Sequence, residues 1–264
     1  MTRKITVNTI VEMKQSGEKI ASLTAYDASF ARILDKANID IILVGDSLGM
    51  VLQGNETTLK VTMQDMIYHT RMVKNGCDRA MIIADMPFMS YATSSQALGN
   101  AARLISEGGA ELVKLEGAAV AQTINDIVNQ GIPVCGHLGL TPQSIHKLGG
   151  YQIQGREDQA AGQLLKDAKL LEESGVTLLV LECIPHLLAA EITRTLRIPV
   201  IGIGAGSDCD GQVLVLYDML GISMRQPKFS KNFLADAASI NAAVEDYVAA
   251  VKAVEFPAAG HRFD

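Results

Sequence analysis

Tryptophan is absent from this 264-residue chain and aromatic residues make up only 5% of it, so the core must be filled by Ile, Leu, Val, Met and Ala rather than by large rings. That composition suits the layered packing of branched side chains inside a parallel barrel. Cysteine is scarce as well. Cys77, Cys135, Cys183 and Cys209 stand far apart with no CxxC pair, which argues against a zinc cluster and against a disulfide framework; Cys135 and Cys183 read as small core groups. There is no basic block, and the formal charge is −6, so nucleic acid has little electrostatic reason to bind. Although 48% of residues are apolar, no uninterrupted run approaches the roughly 20 residues that cross a bilayer. The opening Met1-Thr-Arg-Lys-Ile-Thr-Val-Asn8 lacks the apolar stretch and cleavage site of a secretory signal. The expectation is a cytoplasmic protein with neither nucleic-acid nor membrane partners.

What the chain does have is a series of apolar strand-like runs that end in polar residues able to do chemistry. Asp46 closes Ile41-Ile-Leu-Val-Gly-Asp46, Asp85 closes Met81-Ile-Ile-Ala-Asp85, and Glu116 closes Glu111-Leu-Val-Lys-Leu-Glu116. His137 follows Ile132-Pro-Val-Cys-Gly136, and Glu182 follows Thr177-Leu-Leu-Val-Leu181. Runs of this kind imply parallel strands buried on both faces, and in a barrel of such β/α units the C-terminal strand ends share one mouth. The fold class expected is α/β, a (β/α)8 TIM barrel, with residues 1–264 forming a single domain of a length close to the roughly 250 residues usual for that fold.

The helical spacing of Val7, Ile10, Val11 and Met13 predicts an N-terminal helix over 7–19 that caps the barrel bottom. Residues 20–25 read as the first strand. Helices are expected over 29–37, 62–74, 94–107, 120–129, 157–174 and 187–196, with stops at Gly76, Gly108 and Gly175. The seventh strand is expected over 198–203, the eighth within 213–220 and a last helix over 235–254, followed by a mobile tail. Connections 47–60 and 138–156 exceed the roughly 2 to 6 residues usual for a βα loop and read either as lids or substrate walls on the active face or as surface excursions without function.

Asp46, Asp85 and Glu116 supply hard oxygen ligands without the His or Cys that would favour zinc, which makes Mg²⁺ the natural cation. Taken singly, each could instead cap the following helix. Lys114 and Glu116 stand two apart on one strand and share a face, so a lysine among carboxylates stays protonated, either to bind an anionic substrate group or to balance charge. Glu182, alone on an apolar strand, is costly unless solvated or paired and is a candidate general base. His137 reads either as a hydrogen-bond donor to an enolate or carboxylate, or as a satisfied structural histidine. Gly202-Ile-Gly-Ala-Gly206 lacks the GxGxxG spacing, leaving phosphate binding or tight backbone packing.

Seven blocks, in order, carry a resemblance: Thr24-Ala-Tyr-Asp27, Val44-Gly-Asp-Ser-Leu-Gly49, Ala84-Asp-Met-Pro-Phe-Met89, Val113-Lys-Leu-Glu-Gly117, Val134-Cys-Gly-His-Leu-Gly-Leu-Thr-Pro-Gln143, Leu181-Glu-Cys183 and Ile201-Gly-Ile-Gly-Ala-Gly206. With Pro227-Lys-Phe-Ser-Lys-Asn-Phe233 they span most of the chain, which resembles the ketopantoate hydroxymethyltransferases. The resemblance implies a (β/α)8 barrel that transfers a hydroxymethyl group from 5,10-methylenetetrahydrofolate to 3-methyl-2-oxobutanoate, through a Mg-stabilised enolate, in pantothenate biosynthesis. It implies Asp46, Asp85 and Glu116 as the Mg²⁺ site, and Asp46, Ser47, Asp85 and Lys114 as contacts of the oxo acid. Glu182 is implied as proton acceptor and His137 as a further substrate contact. It also implies a cytoplasmic homo-oligomer, a decamer in bacterial members. A Mg-dependent oxo-acid lyase or mutase of the phosphoenolpyruvate/pyruvate barrel superfamily is the alternative enzyme, and a metabolite-binding barrel without catalysis is a third reading.

Overall fold

In the computed structural model, which describes residues 3–264, each apolar run becomes a short strand paired in parallel with the next. The strands are Ile20–Thr24 (β1), Ile41–Val44 (β2), Met81–Asp85 (β3), Leu112–Glu116 (β4), Val134–Gly139 (β5), Leu178–Glu182 (β6), Val200–Ile203 (β7) and Gly211–Leu214 (β8). β8 pairs back onto β1, with Ile20 opposite Gly211 and Ser22 opposite Val213, closing an eight-stranded parallel barrel. The helices in chain order are Val7–Ser16 (α1), Ala28–Lys36 (α2), Leu48–Val51 (α3), Met63–Lys74 (α4), Ser94–Arg103 (α5), Ala121–Asn129 (α6), Ile145–Leu148 (α7), Asp158–Glu173 (α8), His186–Thr195 (α9), Leu216–Met219 (α10) and Ile240–Lys252 (α11). No helix among the described residues is long and apolar enough to cross a membrane.

α1 lies across the bottom of the barrel. Just ahead of it, Ile5 N–H donates to Arg79 O, upstream of β3. Lys14 Nζ donates to Thr193 O at 2.9 Å and to Asp210 Oδ2 at 2.6 Å, before β7 and β8. α11 straps the closing seam, because Tyr247 O–H donates to Ser22 O on β1 and to Gln212 O on β8.

Side-chain alternation then determines what faces the mouth. Ile83, Cys135 and Val180 face the narrow space along the barrel axis; Asp85, His137 and Glu182, two residues further along the same strands, therefore also face inward, one layer nearer the C-terminal end. Register adds Lys114 beside Asp85 and Glu116 beside His137.

The structure departs from the sequence expectations in four places. The eighth strand is Gly211–Leu214 rather than a segment within 213–220: the apolar run leaves the barrel at Val215 and continues as α10, whose first N–H, that of Leu216, donates to Thr24 Oγ1. The last helix starts at Ile240, where Ser239 Oγ accepts from Ala242 N–H, while residues 234–235 are turned by donating to Asn232 Oδ1. The two long connections are partly ordered into α3 and α7, with 3₁₀ turns at Thr58–Lys60 and Pro142–Ser144. The tail is docked: Phe263 packs against Phe229, its carbonyl accepts from His186 N–H at 2.9 Å, and both rings adjoin the small apolar cluster of Leu140, Ile145 and Cys183.

Closure depends on a residue without a side chain. A Cβ at Gly211 would lie 2.3 Å from Ile20 O and 2.7 Å from Ile201 Cδ1. Gly211→Ala is expected to force the β1 and β8 backbones apart and destabilise the barrel by about 1–3 kcal/mol. A lowered urea midpoint at unchanged slope is the expected result, and an unchanged midpoint would mean that the seam yields freely.

Candidate active site

Five strands deliver polar side chains to one mouth. Asp46 sits in the turn that follows β2, and its backbone N–H donates to Asp85 Oδ2 at 3.0 Å, tying the first two carboxylates together. Lys114 Nζ lies 2.9 Å from Asp85 Oδ1 and 4.0 Å from Glu116 Oε1. His137 stands between two carboxylates, with Nδ1 3.3 Å from Glu116 Oε1 and Nε2 3.2 Å from Glu182 Oε2; Lys114 Nζ is also 3.3 Å from Nδ1. Neither His137–carboxylate contact is well aligned as a hydrogen bond, so each acts more through charge than through direction. A connected set of groups thus runs across the mouth from β2 to β6. Ser47 borders it and shares a 2.9 Å hydrogen bond with the hydroxyl of Tyr26.

Burial differs along this set. Asp46, Asp85, Lys114, Glu116 and His137 are all buried, whereas the Glu182 side chain keeps 16% of its surface accessible. Glu182 is therefore both paired, through His137, and partly solvated, which answers the cost of a lone carboxylate at the end of an apolar strand. Cys183, next in the chain, has φ 48°, an uncommon backbone state for a residue with a side chain, and its N–H donates to Ile203 O.

Crowding of charge sets the protonation pattern. Burial first, then repulsion from Asp85 and Glu116, pushes the Asp46 carboxyl well above the usual range, despite Lys114 and a hydrogen bond from Gln143. Burial alone would also raise Glu116, but His137, Lys114 and the Gln143 N–H outweigh it and bring it below the usual value. Desolvation would strip Lys114 of its proton were it not for Asp85, Glu116 and Asp46, which hold the ammonium firmly charged. Burial and Lys114 pull His137 down, yet its contacts with Glu116 and Glu182 prevail and raise it to about 9.

The structure brings Asp46, Ser47, Asp85, Lys114, Glu116, His137 and Glu182 to one mouth, and it adds residues that sequence reasoning passed over. Gln143 is buried on the turn beyond β5, with its side-chain amide donating to Asp46 Oδ2 at 2.8 Å and its backbone N–H to Glu116 Oε2 at 3.1 Å. Tyr91 O–H donates to Gln143 Oε1. The available signal was Gln143 itself, a polar residue closing the longest of the family-like blocks. Tyr91 lies on an irregular loop with no periodicity to mark it. The Gly202–Gly206 stretch is a packing feature, since a Cβ at Gly204 would come within 3.0 Å of Phe229 and Phe263.

The donor set has the chemistry of a hard divalent cation site. Among the described residues no three His, Cys, Asp or Glu side chains are gathered so as to hold a metal ion as they stand. Even so, Asp85 Oδ1 and Glu116 Oε1 are buried and are offset only by Lys114 Nζ at 2.9 Å and His137 Nδ1 at 3.3 Å, and repulsion from Asp85 and Glu116 adds to burial in pushing Asp46 upward. Buried carboxylates that outnumber the cations beside them fit Mg²⁺, which needs only a few protein oxygens and leaves its other positions to water or substrate.

Comparison with known proteins agrees across the chain. The sequence model of a family described as ketopantoate hydroxymethyltransferase matches residues 4–259. The 3-methyl-2-oxobutanoate hydroxymethyltransferase of Stutzerimonas stutzeri (strain A1501) is 56% identical over 262 residues, covering 98% of this chain and 98% of that protein. The enzyme of the same name from Colwellia psychrerythraea is 56% identical over 98% of this chain and 99% of its own length. Among solved structures, a phosphonopyruvate hydrolase superposes with a TM-score of 0.63 at 10% identity, over 83% of this chain and 84% of that one. A 2,3-dimethylmalate lyase of the PEP mutase/isocitrate lyase superfamily superposes with a TM-score of 0.60 at 15% identity, over 81% and 82%. At such identities these two likenesses concern the fold.

Proposed function

The chain belongs to the ketopantoate hydroxymethyltransferase family, and from that membership we propose how its barrel mouth divides the work of the reaction. The activity is transfer of a hydroxymethyl group to 3-methyl-2-oxobutanoate, giving ketopantoate in the pantothenate pathway. The donor in this reading is 5,10-methylenetetrahydrofolate. Asp46, Asp85 and Glu116 would hold Mg²⁺, which when bound supplies Lewis-acid polarisation of the keto oxygen.

The oxo acid brings a carboxylate and a keto oxygen into a mouth that already carries excess negative charge. Lys114 offsets that charge, its ammonium kept protonated by Asp85 and Glu116. Asp46 and Ser47 border the oxo acid on the β2 side, and His137 meets it from β5. Water adds to the methylene carbon of the folate and its carbon–nitrogen bonds break, freeing tetrahydrofolate and formaldehyde; Glu182 takes the proton from C3, the resulting carbanion attacks the formaldehyde carbon, and the alkoxide oxygen takes up a proton to complete the hydroxymethyl group. His137, lying against Glu182 at 3.2 Å, holds the base in place and faces the charge that develops as C3 loses its proton. Placing a fixed cation where negative charge develops is the kind of stabilisation that lowers a barrier most. A homo-oligomer, a decamer in this reading, acting in the cytoplasm and built from one domain of residues 1–264, belongs to the same proposal.

The observation that carries this assignment is the contrast within one mouth between a buried carboxylate cluster held by Lys114 and N–H donors and a single accessible carboxylate, Glu182, one imidazole away. The test is incubation with 3-methyl-2-oxobutanoate, methylenetetrahydrofolate and Mg²⁺, with the product identified by mass. Ketopantoate formed only in the presence of folate is the expected result. Cleavage of an oxo acid without folate would favour a lyase.

A further inference from the structure

Each of the three buried carboxylates of the mouth, Asp46, Asp85 and Glu116, is held through one of its oxygens by an uncharged N–H donor. Asp85 Oδ2 accepts from Asp46 N–H at 3.0 Å, Asp46 Oδ2 from Gln143 Nε2 at 2.8 Å and Glu116 Oε2 from Gln143 N–H at 3.1 Å. Gln143 provides two of the three donors. The remaining oxygens of Asp85 and Glu116 are buried and meet only charged side chains, Asp85 Oδ1 lying 2.9 Å from Lys114 Nζ and Glu116 Oε1 3.3 Å from His137 Nδ1. The orientation of the Gln143 amide is itself determined. Its Oε1 accepts from Tyr91 O–H, and its Nε2 donates to Met86 O at 2.9 Å as well as to Asp46. A flipped amide would set its oxygen against two acceptors, Asp46 and Met86 O, in a buried place where unpaired polar atoms are expensive.

We propose that Gln143, its amide locked by Tyr91, is the positioning residue that turns Asp46 and Glu116 so that their second oxygens face a shared divalent cation. The proposal deepens the metal assignment made above and rests on it. Gln143 itself does not touch the cation. It acts as the partners of metal-binding groups generally do, by fixing which oxygen is offered and in what direction. Tyr91 reaches Asp46 through the amide, so that contribution vanishes once Gln143 is gone.

Divalent-cation affinity is measured without substrate on the full-length protein, by calorimetry with Mg²⁺ and by electron paramagnetic resonance with Mn²⁺. Gln143→Leu, which keeps the volume and removes the side-chain donor, is expected to weaken binding about 10- to 100-fold, and to lower the metal-free melting temperature only by what its unpaired polar neighbours cost. Tyr91→Phe is expected to weaken it by a smaller factor, and the double variant no more than Gln143→Leu alone, the non-additivity of residues acting through one contact. If the wild-type protein bound neither cation, the metal assignment would fall and this inference with it. If wild type bound and Gln143→Leu bound equally well, the positioning role alone would be overturned. Should Gln143→Leu fail to fold, Tyr91→Phe decides: weakened binding supports the role and unchanged binding overturns it.

Discussion

Glu182→Gln is expected to abolish exchange of the C3 proton of 3-methyl-2-oxobutanoate with solvent deuterium while leaving oxo-acid and Mg²⁺ binding nearly intact. The two side chains have the same shape, so the variant keeps its place at the end of β6 beside His137 but can no longer accept a proton from carbon. A positioned general base contributes about 10²- to 10⁴-fold, and nothing nearby replaces it. His137 is buried and is held cationic at neutral pH by its two carboxylate neighbours, with its pKa raised to about 9. Asp46, Asp85 and Glu116 are buried and committed to N–H donors and to Lys114. Proton NMR of the oxo acid in deuterium oxide reads this step without folate. Exchange at the wild-type rate would remove Glu182 from the base role.

The same residues show why the mouth was largely legible in the sequence. A parallel strand covered on both faces is apolar along its length, so a charged residue at its end stands out, and alternation gives its direction. Asp85, Lys114, Glu116 and Glu182 all follow that rule. The eighth strand does not, because Gly211 and Gln212 carry no strand preference; Gly211 is present for its close approach to Ile20, a reason invisible until the barrel closes. Gln143 and Tyr91 sit on loops whose path over the mouth no periodicity encodes. The docked tail, likewise, depends on a long-range pairing of Phe263 with Phe229, which a Pro- and Gly-containing terminal stretch does not announce.

Lys114→Met is expected to cost both stability and turnover, and the pattern with pH distinguishes its cause. Methionine keeps most of the aliphatic stem, so the change chiefly removes a charge that lies 2.9 Å from Asp85 and 4.0 Å from Glu116 at 4% exposure. Taking one partner from a buried ion pair costs about 3–5 kcal/mol, against at most about 1 kcal/mol for an exposed pair; burial places this one with the former. The Lys114 pKa is raised by folding. Its contribution is therefore fully present below its unfolded value of about 10.4 and lost only as pH rises through the folded value, so Lys114 itself brings no pH dependence near neutrality. Asp46 does. Its folded pKa lies above the unfolded one, so stability from this group is greatest below its unfolded pKa and is lost as pH rises through the folded pKa. Without Lys114 that pKa moves further up. Urea unfolding of the metal-free variant is therefore expected to show a deficit of several kcal/mol at pH 8 that narrows towards pH 5, with oxo-acid affinity lost alongside. An equal deficit at both pH values would point to lost packing rather than to unbalanced charge.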